Sequence, residues 1–164
     1  MLRRAFLIFV SLLCIGGSHA QEAPHVLDYK MPPLAPETAP AVLLVDLTTD
    51  SICASPTKGR TSHMVAVSAD GRRAWTANVR DNSVSELNLA DGAFVRKISV
   101  PAGPEGIAVT PNGSEVWVGS NETGAVSVIS TATGQVVHTF SGATFPYRLA
   151  VSPDAATVAI VDGQ

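Results

Sequence analysis

An all-β fold assembled from repeated four-stranded meanders is predicted by three observations. The first is self-similarity. Displaced by 42 residues, Ala66-Val67 falls on Ala108-Val109, Gly71 on Gly113, Trp75 on Trp117 and Gly92 on Gly134. A second displacement carries Ala108-Val109 onto Ala150-Val151 and Pro111 onto Pro153 without a gap. A fixed period of this length marks an array of one supersecondary unit. The second observation is that the full unit holds four short runs rich in Val, Ile, Thr and Trp, which favour strands over helices. The third is the punctuation between runs: Asp70-Gly71 and Asn112-Gly113 in one gap, Asp91-Gly92 and Thr133-Gly134 in another. Such dipeptides supply the left-handed backbone of tight hairpins.

Taken in order, residues 1–20 read as a secretory signal peptide. Arg3 and Arg4 form a charged start, Ala5 to Ile15 an apolar run, and Ser18-His19-Ala20 a small-x-small cleavage site. The run is short for a membrane span. Residues 21–40 carry Pro24, Pro32, Pro33, Pro36 and Pro40 among acidic residues and read as an extended linker or surface strap. The repeat begins out of phase. In residues 41–62, Val42 to Asp46 aligns with Val84 to Asn88, and Ile52 to Ala54 with Phe94 to Arg96, so this segment supplies only a third and a fourth strand. Residues 63–104 and 105–146 are complete units; in the second the strands are predicted at 106–110, 115–120, 125–130 and 136–141. Residues 147–164 hold a first strand, Arg148 to Ser152, and a second, Thr157 to Val161.

The strands are graded in polarity. The first is small and apolar in all three copies (Val65-Ala66-Val67, Ile107-Ala108-Val109, Leu149-Ala150-Val151), whereas the fourth admits Arg96, Lys97 and His138. A sheet apolar on both faces must be covered on both, and the natural cover is the next copy. Small inner strands and wet outer ones suit blades converging on an axis, so the fold class is a β-propeller of four-stranded antiparallel blades. Two full blades and two half-blades are too few to close, since propellers use roughly four to eight. The favoured expectation is an N-terminal fragment of a longer protein. The alternative is self-association through the open half-blades, two copies giving six blades.

The pattern Pro104-x-Gly106-Ile107-Ala108-Val109-Thr110-Pro111-Asn112-Gly113, continuing through Val116-Trp117-Val118 into Gly124-Ala125-Val126-Ser127-Val128-Ile129, resembles the YVTN-type propeller repeat of YncE-like periplasmic and surface-layer proteins. The resemblance runs from about Val42 to the C-terminus and implies an exported propeller without implying a reaction. Trp117 to Ser120 and Trp75 to Asn78 stand at the tetrapeptide that names the repeat. Two departures are Leu89, where Thr or Asp is usual, and Ala155, where a turn glycine is expected. The latter costs ~1 kcal/mol where the residue is left-handed.

Composition excludes several function classes. Removing Arg3 and Arg4 from the 11 Lys and Arg leaves nine against 14 Asp and Glu, a net charge of −5 with no basic run. Neither nucleic acid nor an anionic membrane surface is expected as a partner. With Cys14 in the leader, Cys53 is the only remaining thiol; no internal disulfide can form, and Cys53 is expected buried in its strand. No nucleophile elbow, phosphate loop or metal-spaced cluster occurs, so neither a cofactor nor a metal is predicted.

The candidate site is the axial mouth, where loops lead into each first strand and leave each second strand. His63, Glu105 and Tyr147 occupy equivalent positions on three successive blades, and Arg148 follows. These four are the candidate ligand-binding residues; no catalytic residue is assigned. A Glu105–Arg148 ion pair across blades is expected, Trp75 and Trp117 are assigned to packing between blades, and His138 to a solvated outer face. The expected function is an exported, non-catalytic binding propeller, periplasmic or at the cell surface, for a protein or small-molecule ligand. Alternatives are part of a lactonase-like or haem d1-like redox enzyme, which would bring its own site residues, and a surface-layer module.

Overall fold

In the computed structural model, which describes residues 40–163, the apolar runs form twelve strands and one 3₁₀ turn, Val79–Asp81. The leader and the strap up to residue 39 lie outside the described residues. The strands are β1 Ala41–Asp46, β2 Ser51–Pro56, β3 Ser62–Val67, β4 Arg73–Asn78, β5 Ser83–Asn88 and β6 Ala93–Ser99. They continue with β7 Pro104–Val109, β8 Glu115–Ser120, β9 Ala125–Ser130, β10 Gln135–Phe140, β11 Pro146–Val151 and β12 Val158–Asp162. All pairings are antiparallel, in two four-stranded meanders, β3-β4-β5-β6 and β7-β8-β9-β10, flanked by the two-stranded sheets β1-β2 and β11-β12.

The hairpin joining first and second strands is built the same way three times. Ser68, Thr110 and Ser152 each donate a hydroxyl to Asp70, Asn112 and Asp154. The same hydroxyls accept from the backbone N–H of Arg73, Glu115 and Thr157, so the side chain closes the turn where the backbone alone would leave a donor free. Gly71 (φ 67°) and Gly113 (φ 70°) take the left-handed position, and Ala155 takes it too at φ 58°. The departure read in the sequence is thus a strained residue.

Two apolar layers join the sheets. Leu44 meets Ala74, Leu87 and Leu89 between β1-β2 and the first full blade. Leu89 is fully buried there, so this departure from the repeat serves the interface with an apolar side chain. Trp75, Ala77, Val84 and Ile98 of that blade meet Val116, Val118 and Ile129 of the next. First strands lie closest together, β3 beside β7 and β7 beside β11, which places the axis along them. Gly106 and Gly119 permit this approach, because a Cβ on either would strike the backbone of Tyr147 or Pro146.

Three expectations need correction. Cys53 is exposed. It aligns with Val95 and Val137, which are exposed as the extra residues of bulges in β6 and β10, whereas Cys53 pairs in regular register with Leu44 on an outer strand that no further described strand covers. Trp117 is only half-buried, unlike Trp75 at 0% exposure, because β11-β12 offers it two strands rather than four. The third concerns Glu105 and is given with the site.

Candidate functional site

The first strand of each blade starts with a β-bulge. Ser62 pairs with Asn78 and Met64 with Ala77, leaving His63 as the extra residue. Pro104 pairs with Ser120 and Gly106 with Gly119, leaving Glu105. Pro146 pairs with Asp162 and Arg148 with Val161, leaving Tyr147. A bulge frees its residue from the in–out alternation of the strand and re-aims the side chain. The three residues singled out by repeat spacing are therefore the three that the backbone releases. The bulge also explains why β7 starts at Pro104 rather than at the predicted Gly106.

His63 and Glu105 meet across the blade boundary, Nδ1 to Oε1 at 3.3 Å, with His63 exposed and Glu105 17% exposed. The other Glu105 oxygen accepts from Asn121 Nδ2 at the start of the β8–β9 connection. Arg148 does not reach Glu105; its guanidinium lies 5.5 Å from the Tyr147 ring centroid. Tyr147 in turn stacks against Phe145, centroids 6.0 Å apart. The expected Glu105–Arg148 ion pair is thus replaced by two separate contacts, because Arg148 is back in the strand pairing opposite Val161 while Glu105 is in the bulge. Tyr147 sits at the matching bulge of the third blade. Asp162 caps the neighbouring loop, accepting from the backbone N–H of Thr144 (2.9 Å) and Phe145 (2.5 Å). Those bonds, Phe145 first, hold its carboxyl below the ordinary carboxylate range.

Beneath the mouth the sequence reading missed two polar clusters. Asn78, fully buried, accepts from Ser62 Oγ (2.6 Å) and donates to Ser85 Oγ (2.8 Å) and Ser83 Oγ (3.1 Å). The Thr57 hydroxyl lies beside Ser62 Oγ and donates to the Pro40 carbonyl at 2.9 Å. Further out, Glu86 is 2% exposed and receives Arg96 Nε at 2.6 Å and Arg73 Nη1 at 3.3 Å. Arg96 Nη2 then donates to the Thr131 carbonyl of the next blade at 2.7 Å, tying the two blades together. A signal existed: Leu44 and Val128 fill the equivalent column, so Glu86 is a charge among apolar residues.

Among the described residues, no group of three or more His, Cys, Asp or Glu side chains is placed to hold a metal ion. What the mouth offers is recognition chemistry: an imidazole beside a carboxylate, an amide, and a phenol flanked by a guanidinium.

Radially stacked antiparallel meanders with innermost first strands define an incomplete β-propeller. No family model and no curated protein matches the chain. Among solved structures it is similar to hydrazine synthase of Kuenenia stuttgartiensis, a propeller-containing protein, with a TM-score of 0.68 and 24% identity. The match covers 73% of this chain and 35% of that one, so the chain spans about a third of its length. This likeness concerns the fold alone.

Proposed function

We propose that the chain is part of an exported, non-catalytic binding propeller of the YVTN type, which takes a small molecule or an exposed protein segment at its axial mouth. One observation carries this reading: the same bulge recurs three times, yet its residue changes from His63 to Glu105 to Tyr147. In the full blades, positions that pack can repeat their residue, as the buried Val84 and Val126 do. A position whose backbone is preserved while its chemistry varies is suited to reading a partner. The leader-like start supports export, and the repeat pattern supports the YVTN-type assignment.

The test is a backbone-amide NMR titration with a panel of amino acids, dicarboxylates and short peptides. Shifts clustering at residues 62–64, 104–106 and 146–148, and lost in Glu105→Gln, are expected. Shifts confined to the outer strands, or none across the panel, would overturn the reading. The His63–Glu105 contact favours a second reading, a lactonase-like enzyme using that pair for proton transfer. Turnover of a lactone panel that disappears in His63→Ala separates it from simple binding.

A further inference from the structure

Among the described residues two strands lack a second partner that their counterparts in the full blades have: β1 pairs only with β2, whereas β5 and β9 pair on both sides, and β12 pairs only with β11, whereas β4 and β8 pair on both sides. Beside β12 lies an open groove of about 450 Å³ whose walls include Trp117, Phe140, Val158 and Ile160. We propose that this groove and edge receive β1 of a second copy of the chain, so that each copy completes the other's two-stranded sheet.

The full blades state what the groove lacks. Trp75 is enclosed on the facing blade by Val116, Val118 and Ile129. The counterparts of Val116 and Val118 are Val158 and Ile160, both present beside Trp117. The counterpart of Ile129 on a third strand is Val45, which lies on β1 at the other end of the molecule. Leu47, 43% exposed, stands in turn where Leu89 is fully buried. Side chains shaped for the missing wall are therefore carried by β1 and the residue that follows it, Val45 half-buried and Leu47 exposed. The register of β4 on β5, transferred along the repeat, sets β12 against β1 with Val158 opposite Val45, Ile160 opposite Leu43 and Val161 opposite Val42. Leu43, Ile160 and Val161 are all exposed apolar residues. Pairing them covers an edge that would otherwise template non-specific association. The exchange is reciprocal, so the assembly closes on itself. Four full blades and two composite ones make six, within the roughly four to eight that propellers use.

The experiment takes the 164-residue chain itself in sedimentation and native mass measurements, with a cross-linking pair. Twice the monomer mass is expected. In a Cys14→Ser, Cys53→Ser background, Leu43→Cys with Ile160→Cys should form a disulfide between copies, while Leu43→Cys with Val161→Cys, one residue out of register, should not. Ile160→Lys should keep the strand signal in circular dichroism and raise the dimer dissociation constant ~30-fold or more, the scale of a hot-spot residue. A monomer at tens of micromolar overturns the proposal. So does a dimer that cross-links equally in both registers, or one that Ile160→Lys leaves intact.

Discussion

Replacing Ala155 by glycine isolates one backbone term. Ala155 holds φ 58° in the β11–β12 hairpin, where the equivalent residues are Gly71 at 67° and Gly113 at 70°. A Cβ added at Gly71 or Gly113 would meet nothing within 4 Å, so at this turn the side chain's cost is conformational rather than steric. An L-residue in the left-handed region costs ~1–2 kcal/mol. Glycine returns ~0.4–1 kcal/mol of that by widening the unfolded ensemble. Ala155→Gly should therefore stabilise the fold by roughly 1 kcal/mol or slightly less. With a urea dependence of ~1–3 kcal/mol per molar, the midpoint should rise by ~0.3–1 M. Unfolding is followed by tryptophan emission at fixed protein concentration, since Ala155 also borders the groove beside Trp117. Gly113→Ala must lower the midpoint by a similar amount. A lower midpoint for Ala155→Gly, or an unchanged one for Gly113→Ala, would refute the reasoning.

Four shorter predictions accompany it. Glu86→Ala leaves Arg96 and Arg73 without their buried carboxylate and should destabilise by ~3 kcal/mol; Glu86→Leu, the residue found at Leu44, should cost less in the same urea titration. Ser127 Oγ is buried without a hydrogen-bond partner, whereas its repeat equivalent Ser85 receives Asn78. Ser127→Ala should accordingly be neutral or stabilising, and Ser85→Ala should cost ~1 kcal/mol by urea unfolding. The Ser68 hydroxyl and the Arg72 N–H lower the Asp70 carboxyl, and the Ser152 hydroxyl and the Ala156 N–H lower Asp154. A depressed folded value means stability present above the unfolded value and lost as pH falls through the folded one, so urea midpoints should drop below about pH 4. Asp70→Asn, which copies Asn112, should reduce that drop. Cys53 is exposed, so it should react with a disulfide reagent in the native state without prior unfolding; a reaction that waits for unfolding would show it to be covered.

The fold was legible because a repeat states its packing more than once. Gly71, Trp75 and Val84 recurring as Gly113, Trp117 and Val126 define strand order and turn type before any coordinate is known. The candidate positions were legible for the same reason, since one spacing gave His63, Glu105 and Tyr147. Their partners were not. The bulge is a property of register, and no residue type announces that Glu105 lies outside the pairing and Arg148 inside it. The exposure of Cys53 was hidden for a related reason. An apolar run on the outermost strand looks like a core run unless the register and the absence of a further covering strand are known.

What a repeat leaves unsaid is where neighbouring positions change together. Asn78 and Gly59 of one blade correspond to Ser120 and Pro101 of the next. A Cβ on Gly59 would overlap the Asn78 amide, so the larger polar side chain requires the glycine. Where the loop residue is Pro101, the strand residue shrinks to Ser120, which donates to the Pro101 carbonyl at 2.9 Å. That exchange removes the amide which serves Ser85 and leaves Ser127 unpartnered. The orphaned hydroxyl is thus the local consequence of a loop substitution on the mouth side of the blade. Loop identity at the mouth and polar satisfaction in the sheet beneath it are one coupled choice. A mouth engineered for another ligand therefore has to be redesigned two residue layers deep: Pro101→Gly with Ser120→Asn together should satisfy Ser127, whereas Ser120→Asn alone collides with the proline.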